Sequence, residues 1–203
     1  PDWAPTQENR EYEAAIERLE GILGDIVETR RGTEHDAPDP GADGDQPMDL
    51  LSLLLRAQQQ GEQSDKQIRD EMMTMLLAGH DTTALTLTYA WYLLAEHPEV
   101  EARFHAELDE VLDGETPTAA AVEDLEYTER VIQETMRLYP PVYAIFREPQ
   151  VDVRLGDYRI PAGSAVLLPQ WVVHRSPRFW DDPETFDPDR WAETSERERF
   201  SYF

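Results

Sequence analysis

The chain has 203 residues and a formal net charge of −25 at neutral pH, with 43 acidic against 18 basic residues. This length accommodates one sizeable domain, and 40% apolar residues can supply its core, so a wholly disordered chain is not expected. The acidity argues against nucleic acid and anionic membranes as partners, because both require basic surface residues. The lack of cysteine excludes disulfides and cysteine-bound zinc sites.

The basic residues are almost entirely arginine, since Lys66 is the only lysine. An acidic surface nearly without lysine predicts a halophilic source, such as a haloarchaeon, in which salt screens the repulsion between surface charges. An acidic protein of an ordinary host is the alternative. No signal peptide is visible and the chain opens on Pro1, so we expect a cytoplasmic protein whose numbering begins inside a longer polypeptide or after processing.

The first 60 residues predict two helices and a loop. Residues 8–31 repeat apolar side chains at helical spacing with charges between them, which indicates an amphipathic helix. Residues 32–48 lose this periodicity and are rich in glycine, proline and aspartate, which is typical of a surface loop. A short helix follows over residues 50–60.

A much longer helix comes next. Ser64 or Asp65 can cap its start, and it runs to about His97, where Pro98 ends it. Its most apolar part, residues 72–95, is interrupted by polar side chains and is predicted to be a buried core helix rather than a membrane span.

The second half continues with helices and then changes to strands. Residues 98–113 predict a helix closed by Gly114, and residues 118–139 predict a turn and another helix. Alternating residues at 151–160 indicate a β-hairpin, and residues 165–168 a further strand. The predicted fold class is therefore mainly α with a small β-sheet, an α+β arrangement.

Three short motifs occur at wide spacings on these elements. They are Ala-Gly-His-Asp-Thr-Thr at residues 78–83 in the long helix, Glu-Thr-Met-Arg at 134–137, and Phe-Asp-Pro-Asp-Arg-Trp at 186–191 in an irregular stretch. The first places an acid and a hydroxyl side by side, two groups that can deliver protons. The second places Glu134 and Arg137 on one helix face, where they can pair.

Together these motifs resemble the C-terminal half of a cytochrome P450, a haem-thiolate monooxygenase, over essentially the whole chain. The resemblance implies one partial P450 domain over residues 1–203, with the long helix at its centre and with the N-terminal helices and the cysteine loop absent. It also implies haem as cofactor, dioxygen, a small apolar organic substrate, and a ferredoxin or flavoprotein reductase as electron donor. The iron-ligating cysteine of the family is absent, so we expect no metal ligand in this chain.

The resemblance assigns the first motif to oxygen activation. It implies that Thr82 donates to bound dioxygen and Asp81 relays protons, while Ala78, Gly79 and Thr83 lie against the haem. The simpler interpretation is that the threonines satisfy backbone groups and that Asp81 is solvated.

The second and third motifs are expected to form a structural triad of Glu134, Arg137 and Arg190. A glutamate buried between two arginines cannot lose a partner without leaving a charge unpaired. Asp189 and Trp191 stand where the family most often has glutamate and phenylalanine, and neither change is expected to affect the triad.

Arg147 resembles the family arginine that pairs with a haem propionate. The segment before it would shape the substrate pocket, although plain core packing is the alternative for each of its residues: Val142, Tyr143, Ala144, Ile145 and Phe146. The role of His174, in a recurrent family stretch, is left open.

Two functions follow. The first is that the chain is part of a haem-dependent monooxygenase that inserts one oxygen atom of dioxygen into an apolar substrate, active in the intact parent rather than in the isolated chain. The second is a non-catalytic truncated helical fragment that acts at most as a binding or scaffold module, which the lack of cysteine favours.

The charge predicts a strong salt dependence of stability. The thermal midpoint should rise steeply between about 0.1 M and above 1 M chloride, because the Debye length falls from about 10 Å to about 3 Å and self-repulsion is screened. Sodium and potassium chloride should act alike, whereas salting-out would make sulfate much stronger. A flat midpoint in a chloride series would contradict both self-repulsion and a halophilic source.

Overall fold

The computed structural model describes residues 6–34, 50–61, 63–192 and 201–202. In chain order the elements are α1 (Gln7–Glu34), α2 (Leu50–Gln59), α3 (Asp65–Glu96), α4 (Pro98–Leu112), α5 (Ala119–Glu123), α6 (Glu126–Leu138), β1 (Ile145–Arg147), β2 (Val153–Leu155), β3 (Tyr158–Ile160), β4 (Val166–Leu168), α7 (Gln170–Val173) and a 3-10 helix (Pro188–Trp191). The predicted class, mainly α with small sheets, is confirmed. Most of the loop predicted over 32–48 lies outside the described residues, and α1 continues three residues further than expected.

The chain divides into two compact units, residues 1–80 and 81–203, which have separate cores. In the first unit, four buried side chains from α1, α2 and the start of α3 form the core: Val27, Leu51, Leu55 and Ile68. Arg31 joins the same three helices, because its guanidinium donates to Gln58 Oε1 at 2.6 Å and to Asp65.

The start of α3 is capped by its own sequence. The Gln67 N–H donates to Ser64 Oγ at 3.3 Å, and the Ser64 N–H donates to Gln67 Oε1 at 2.8 Å. This reciprocal pair is a capping box, which settles the predicted choice in favour of Ser64.

The core of the second unit centres on α6. Buried residues of this helix recur at Tyr127, Val131, Glu134 and Leu138, so one face is buried along its whole length. The face packs against apolar residues of α3, α4 and the segment before the 3-10 helix, namely Leu93, Leu94, Val100 and Phe186. Glu134 is a charged residue on this otherwise largely apolar face, and the groups that bind its carboxylate form the candidate site.

Two small antiparallel sheets follow α6. The predicted hairpin is present, with Val153 opposite Ile160 and Gly156 at a φ of +57° in the turn. β4 pairs with β1, a strand that the sequence did not predict, with Ile145 opposite Leu168. Residues 142–146, which lead into β1, form a continuous apolar run, so no alternation of apolar and polar residues marks this strand.

Among the described helices, including the 32-residue α3, none combines the length and the hydropathy that crossing a bilayer requires.

Candidate functional site

The Glu134 carboxylate accepts five hydrogen bonds although its side chain is fully buried. Its Oε1 accepts from Arg137 Nη2 at 2.8 Å, Arg190 Nε at 2.8 Å and the Asp187 backbone N–H at 3.1 Å. Its Oε2 accepts from Arg137 Nε at 2.8 Å and Trp191 Nε1 at 2.8 Å. The structure therefore brings together the three residues expected to form a triad and adds two further donors.

Arg137 is also fully buried, and it uses its remaining donors on backbone carbonyls. Its Nη1 donates to the carbonyls of His174 and Pro183, each at 2.7 Å, and its Nη2 to that of Thr185 at 3.1 Å. The guanidinium thus fastens α6 to the end of α7 and to the segment before the 3-10 helix. Removing one member of such a buried pair costs about 3–5 kcal/mol, because the other charge stays buried and unpaired.

Trp191 is a site residue that the sequence analysis missed, since it was treated as equivalent to phenylalanine. Its indole N–H reaches Glu134, and its ring contacts Tyr202 edge-on at a centroid distance of 4.9 Å and Trp180 at 5.7 Å. The sequence did contain a signal for this role, namely tryptophan in place of the more common phenylalanine. A buried tryptophan usually finds an acceptor for its N–H, a group that phenylalanine lacks.

Two residues of α4, one turn apart, contact the 3-10 helix and the start of α6. Arg103 forms a forked pair with Asp189, at 2.7 and 2.8 Å, and lies 4.2 Å from the centre of the Tyr127 ring. This hydrogen-bonded pair lowers the pKa of Asp189 and raises that of Arg103. Glu107 accepts from the backbone N–H groups of Tyr127 at 2.6 Å and Thr128 at 2.8 Å. Since α6 has no side-chain cap of its own, α4 supplies it.

A cavity of about 600 Å³ opens in the same unit. Its wall is formed by residues of α3, α6, the segment after α6, α7 and the C-terminal part: Thr82, Thr83, Thr86, Leu87, Ile132, Met136, Pro140, Pro141, Val142, Gln170, His174 and Tyr202. The wall is mainly apolar, and the described residues that form it include no acidic side chain, lysine or arginine. Ile132 and Met136 flank Glu134 in sequence, so α6 contributes to both the cavity and the buried charge cluster.

His174 lines this cavity and is 1% exposed. Burial lowers the pKa of His174 from 6.5 to about 4, and the nearby Arg137 charge acts in the same direction. Its ring stacks on Tyr202 at a centroid distance of 5.0 Å. At neutral pH the imidazole that His174 contributes to the cavity wall is therefore uncharged.

Within the first motif, Thr82 and Thr83 line the cavity, and Asp81 is exposed on the same helix. Thr86, one turn later, donates its hydroxyl to the Thr82 carbonyl at 2.9 Å and also faces the cavity. Such a bond loosens the local helix ladder, as expected for threonine inside a helix.

Ala78 and Gly79 belong to the first unit and are exposed on α3. A side chain added at Gly79 would meet no described atom within 4 Å. Their expected contact with the haem remains a prediction.

The segment 142–146 borders the cavity at Val142 alone. Tyr143 and Phe146 are 68% and 66% exposed. Arg147 is exposed as well, and its Nη1 donates to the Phe146 carbonyl at 2.9 Å. The roles expected for these residues in substrate and propionate binding remain predictions.

Comparison with known proteins identifies one family. The cytochrome P450 family model matches residues 1–203. Cyclooctat-9-en-7-ol 5-monooxygenase of Streptomyces melanosporofaciens is 42% identical over 92% of the chain, and pentalenene oxygenase of Streptomyces avermitilis is 36% identical over 92%. The match spans only 39% and 40% of these relatives, so the chain has about two-fifths of their length.

A solved zebra fish cytochrome P450, described with progesterone, is structurally similar, with a TM-score of 0.78. It is 26% identical in sequence, and the similarity covers 92% of the chain and 44% of that protein.

Substitutions around Glu134 should produce graded losses of stability. Arg137→Ala should prevent stable folding and cofactor incorporation, since about 3–5 kcal/mol is lost. Trp191→Phe should cost about 1.5–3 kcal/mol, the value of a hydrogen bond to a charged group, and leave the fold intact. Thermal unfolding and haem content of the whole protein measure both. Trp171→Phe, at a half-exposed ring, is the matched control, and equal stability of the two tryptophan variants would contradict the role of Trp191.

His174 should make the folded protein sensitive to mild acid. Between pH 6.5 and about 4 the unfolded chain binds a proton that the folded protein does not, so the free energy of unfolding falls as the pH is lowered through this window. The loss should reach about 3 kcal/mol, at 1.36 kcal/mol per pH unit. Denaturant unfolding from pH 4 to 8 should show this slope in the parent and in the exposed-residue control His80→Gln. His174→Gln should lack it, and identical slopes in all three would refute the assignment.

Proposed function

Because the chain belongs to the cytochrome P450 family, we propose that the whole protein is a haem-dependent monooxygenase. It would insert one oxygen atom of dioxygen into an apolar organic substrate, with electrons from a ferredoxin or a flavoprotein reductase. The observation that supports this best is the cavity whose wall combines Thr82 and Thr83 of α3 with the helix of Glu134. Since the chain has about two-fifths of the length of its relatives, the activity is assigned to the whole protein.

The cavity suits a haem on the sides that the chain provides. The mainly apolar wall, which includes the α3 threonines Thr82 and Thr83 together with Ile132 and Met136 of α6, would accommodate the apolar faces of a macrocycle. Ala78 and Gly79 are proposed to lie against the haem, and Arg147 to pair with a propionate. The 203 residues contain no cysteine, so they do not supply the axial thiolate. Bound haem supplies the oxidation chemistry.

The catalytic contribution of this chain would be proton delivery. Thr82 faces the cavity, where its hydroxyl can hold a proton beside the reacting oxygen. Asp81 is adjacent and exposed, so its carboxylate can exchange protons with water. The Glu134 cluster would act structurally, by fixing α6 and the 3-10 helix against each other.

The alternative is a non-catalytic helical module. The carbon monoxide difference spectrum of the whole reduced protein distinguishes the two. A spectrum typical of a haem-thiolate protein supports the monooxygenase, and the absence of bound haem supports the module.

A cytoplasmic location, a halophilic source and the identity of the redox partner remain parts of this proposal.

Thr82→Ala in the whole protein should uncouple electron use from product formation. Product formed per electron pair should fall by about tenfold or more, while haem stays bound, because proton transfer is lost and anchoring is not. Electron consumption, hydrogen peroxide and product are measured together. Thr88→Ala is the matched control, because Thr88 is a threonine of the same helix whose hydroxyl donates to the Ala84 carbonyl at 2.7 Å and which does not line the cavity. Unchanged coupling in Thr82→Ala would count against the role.

A further inference from the structure

Two arginines join the ends of α6 and α7 by reciprocal hydrogen bonds. Arg137, near the end of α6, donates to the carbonyl of His174, the C-cap residue of α7, at 2.7 Å. Arg175, the residue after His174, donates through its Nη1 to the carbonyl of Leu138, the last residue of α6, at 2.8 Å. Each arginine therefore bonds to the residue beside the other arginine, so the two helix ends are connected at adjacent positions.

The surroundings of Arg175 hold its guanidinium in place. Its side chain is 10% exposed, and its Nε donates to Glu184 Oε2 at 3.3 Å. The guanidinium carbon lies 5.2 Å from the centre of the Tyr139 ring and 4.7 Å from that of Trp171, and Tyr139 stacks on Tyr89 of α3 at a centroid distance of 4.5 Å. A planar guanidinium can contact aromatic rings and donate directed hydrogen bonds at the same time. Arg175 therefore fixes Tyr139, where the chain leaves α6, relative to α7.

Both of the segments that Arg175 joins belong to the cavity wall. Residues 140–142 follow Tyr139 directly and line the cavity, and Gln170 and His174 line it from α7 and its end. Arg175 itself is not among the described residues that form the wall. Its influence on an occupant is therefore indirect, through the positions of these two parts of the wall.

We propose that Arg175 is a positioning residue that fixes the segment 140–142 relative to α7 and thereby sets the size of the molecule that the cavity accepts. The inference rests on the proposed function, which makes this cavity the place where an apolar substrate binds. A mainly apolar cavity discriminates by fit, because a wall that cannot move excludes a larger molecule and a wall that yields admits it. Loss of Arg175 should therefore weaken discrimination by size.

Two substitutions in the whole protein isolate this contact. Arg175→Met keeps a long side chain and removes the donors and the planar cation. Arg175→Lys keeps a charged donor but lacks the planar group that contacts both rings, so it should restore part of the effect. Arg178→Met is the matched control, because Arg178 is exposed, its guanidinium carbon lies 5.3 Å from the centre of the Phe179 ring, and it does not line the cavity.

The first measurement is amide hydrogen exchange. The Trp171 N–H donates to the Tyr143 carbonyl at 3.1 Å, so its exchange reports whether α7 and the segment after α6 stay together. It should exchange about tenfold faster in Arg175→Met, as expected for loss of a hydrogen bond from a charged group, and at the parent rate in Arg178→Met. The amides of α4 should keep their rates. Uniform acceleration across the unit would show a purely structural role and overturn the inference.

The second measurement is the ratio of the affinities for cyclohexanone and cyclododecanone, two ketones that differ in ring size. Isothermal titration calorimetry gives this ratio without requiring haem. A loss of folded protein lowers both affinities by the same factor, so instability alone leaves the ratio unchanged. In Arg175→Met the ratio should move towards one by about tenfold, the scale of discrimination by fit in an apolar pocket, and less in Arg175→Lys.

Both measurements must change for the inference to stand. A parent that binds the two ketones equally or binds neither overturns it, as does a parent-like ratio or a parent-like Trp171 exchange rate in Arg175→Met. Should the methionine variant fail to fold, Arg175→Lys is subject to the same criteria. A parent that takes up no haem contradicts the proposed function separately, since neither measurement depends on haem.

Discussion

The burial of one carboxylate constrains the rest of the second unit. Glu134 is withdrawn from water, and its donors come from α6, from the backbone at Asp187 and from the 3-10 helix that ends at Trp191. A charge in that position is tolerated only when all of these segments are in place, because each alone leaves it poorly paired. Segments more than 50 residues apart in the chain are therefore required to assemble together.

The polar residues of α4 orient the 3-10 helix and the start of α6. Arg103 and Glu107 hold the 3-10 helix and the start of α6 from the solvent side, where an ion pair alone contributes little free energy. The forked geometry of the arginine and the two backbone bonds of the glutamate fix direction more than they add stability. α6 is thus held at its N-terminus by α4 and near its C-terminus by Arg137, and its cavity-facing residues lie between these points.

The sequence allowed most elements to be predicted, because helical and alternating periodicities report which faces are buried. The pairing of Glu134 with Arg137 also followed from local spacing. Contacts such as Arg103 with Asp189, 86 residues apart, leave no trace in a local pattern. Trp191 was noticed, but only as a departure from a motif.

The aromatic residues around Glu134 have an optical consequence. Trp180 and Trp191 are 6% and 8% exposed, whereas Trp91 and Trp171 are 59% and 48% exposed, so the two pairs emit in different environments. The Trp191 indole is hydrogen-bonded to the carboxylate and lies beside Tyr202, a ring on the cavity wall. Blue-shifted emission from this pair therefore reports directly on whether the charged core is assembled, and quenching of that emission reports on whether the neighbouring cavity is filled by a light-absorbing molecule.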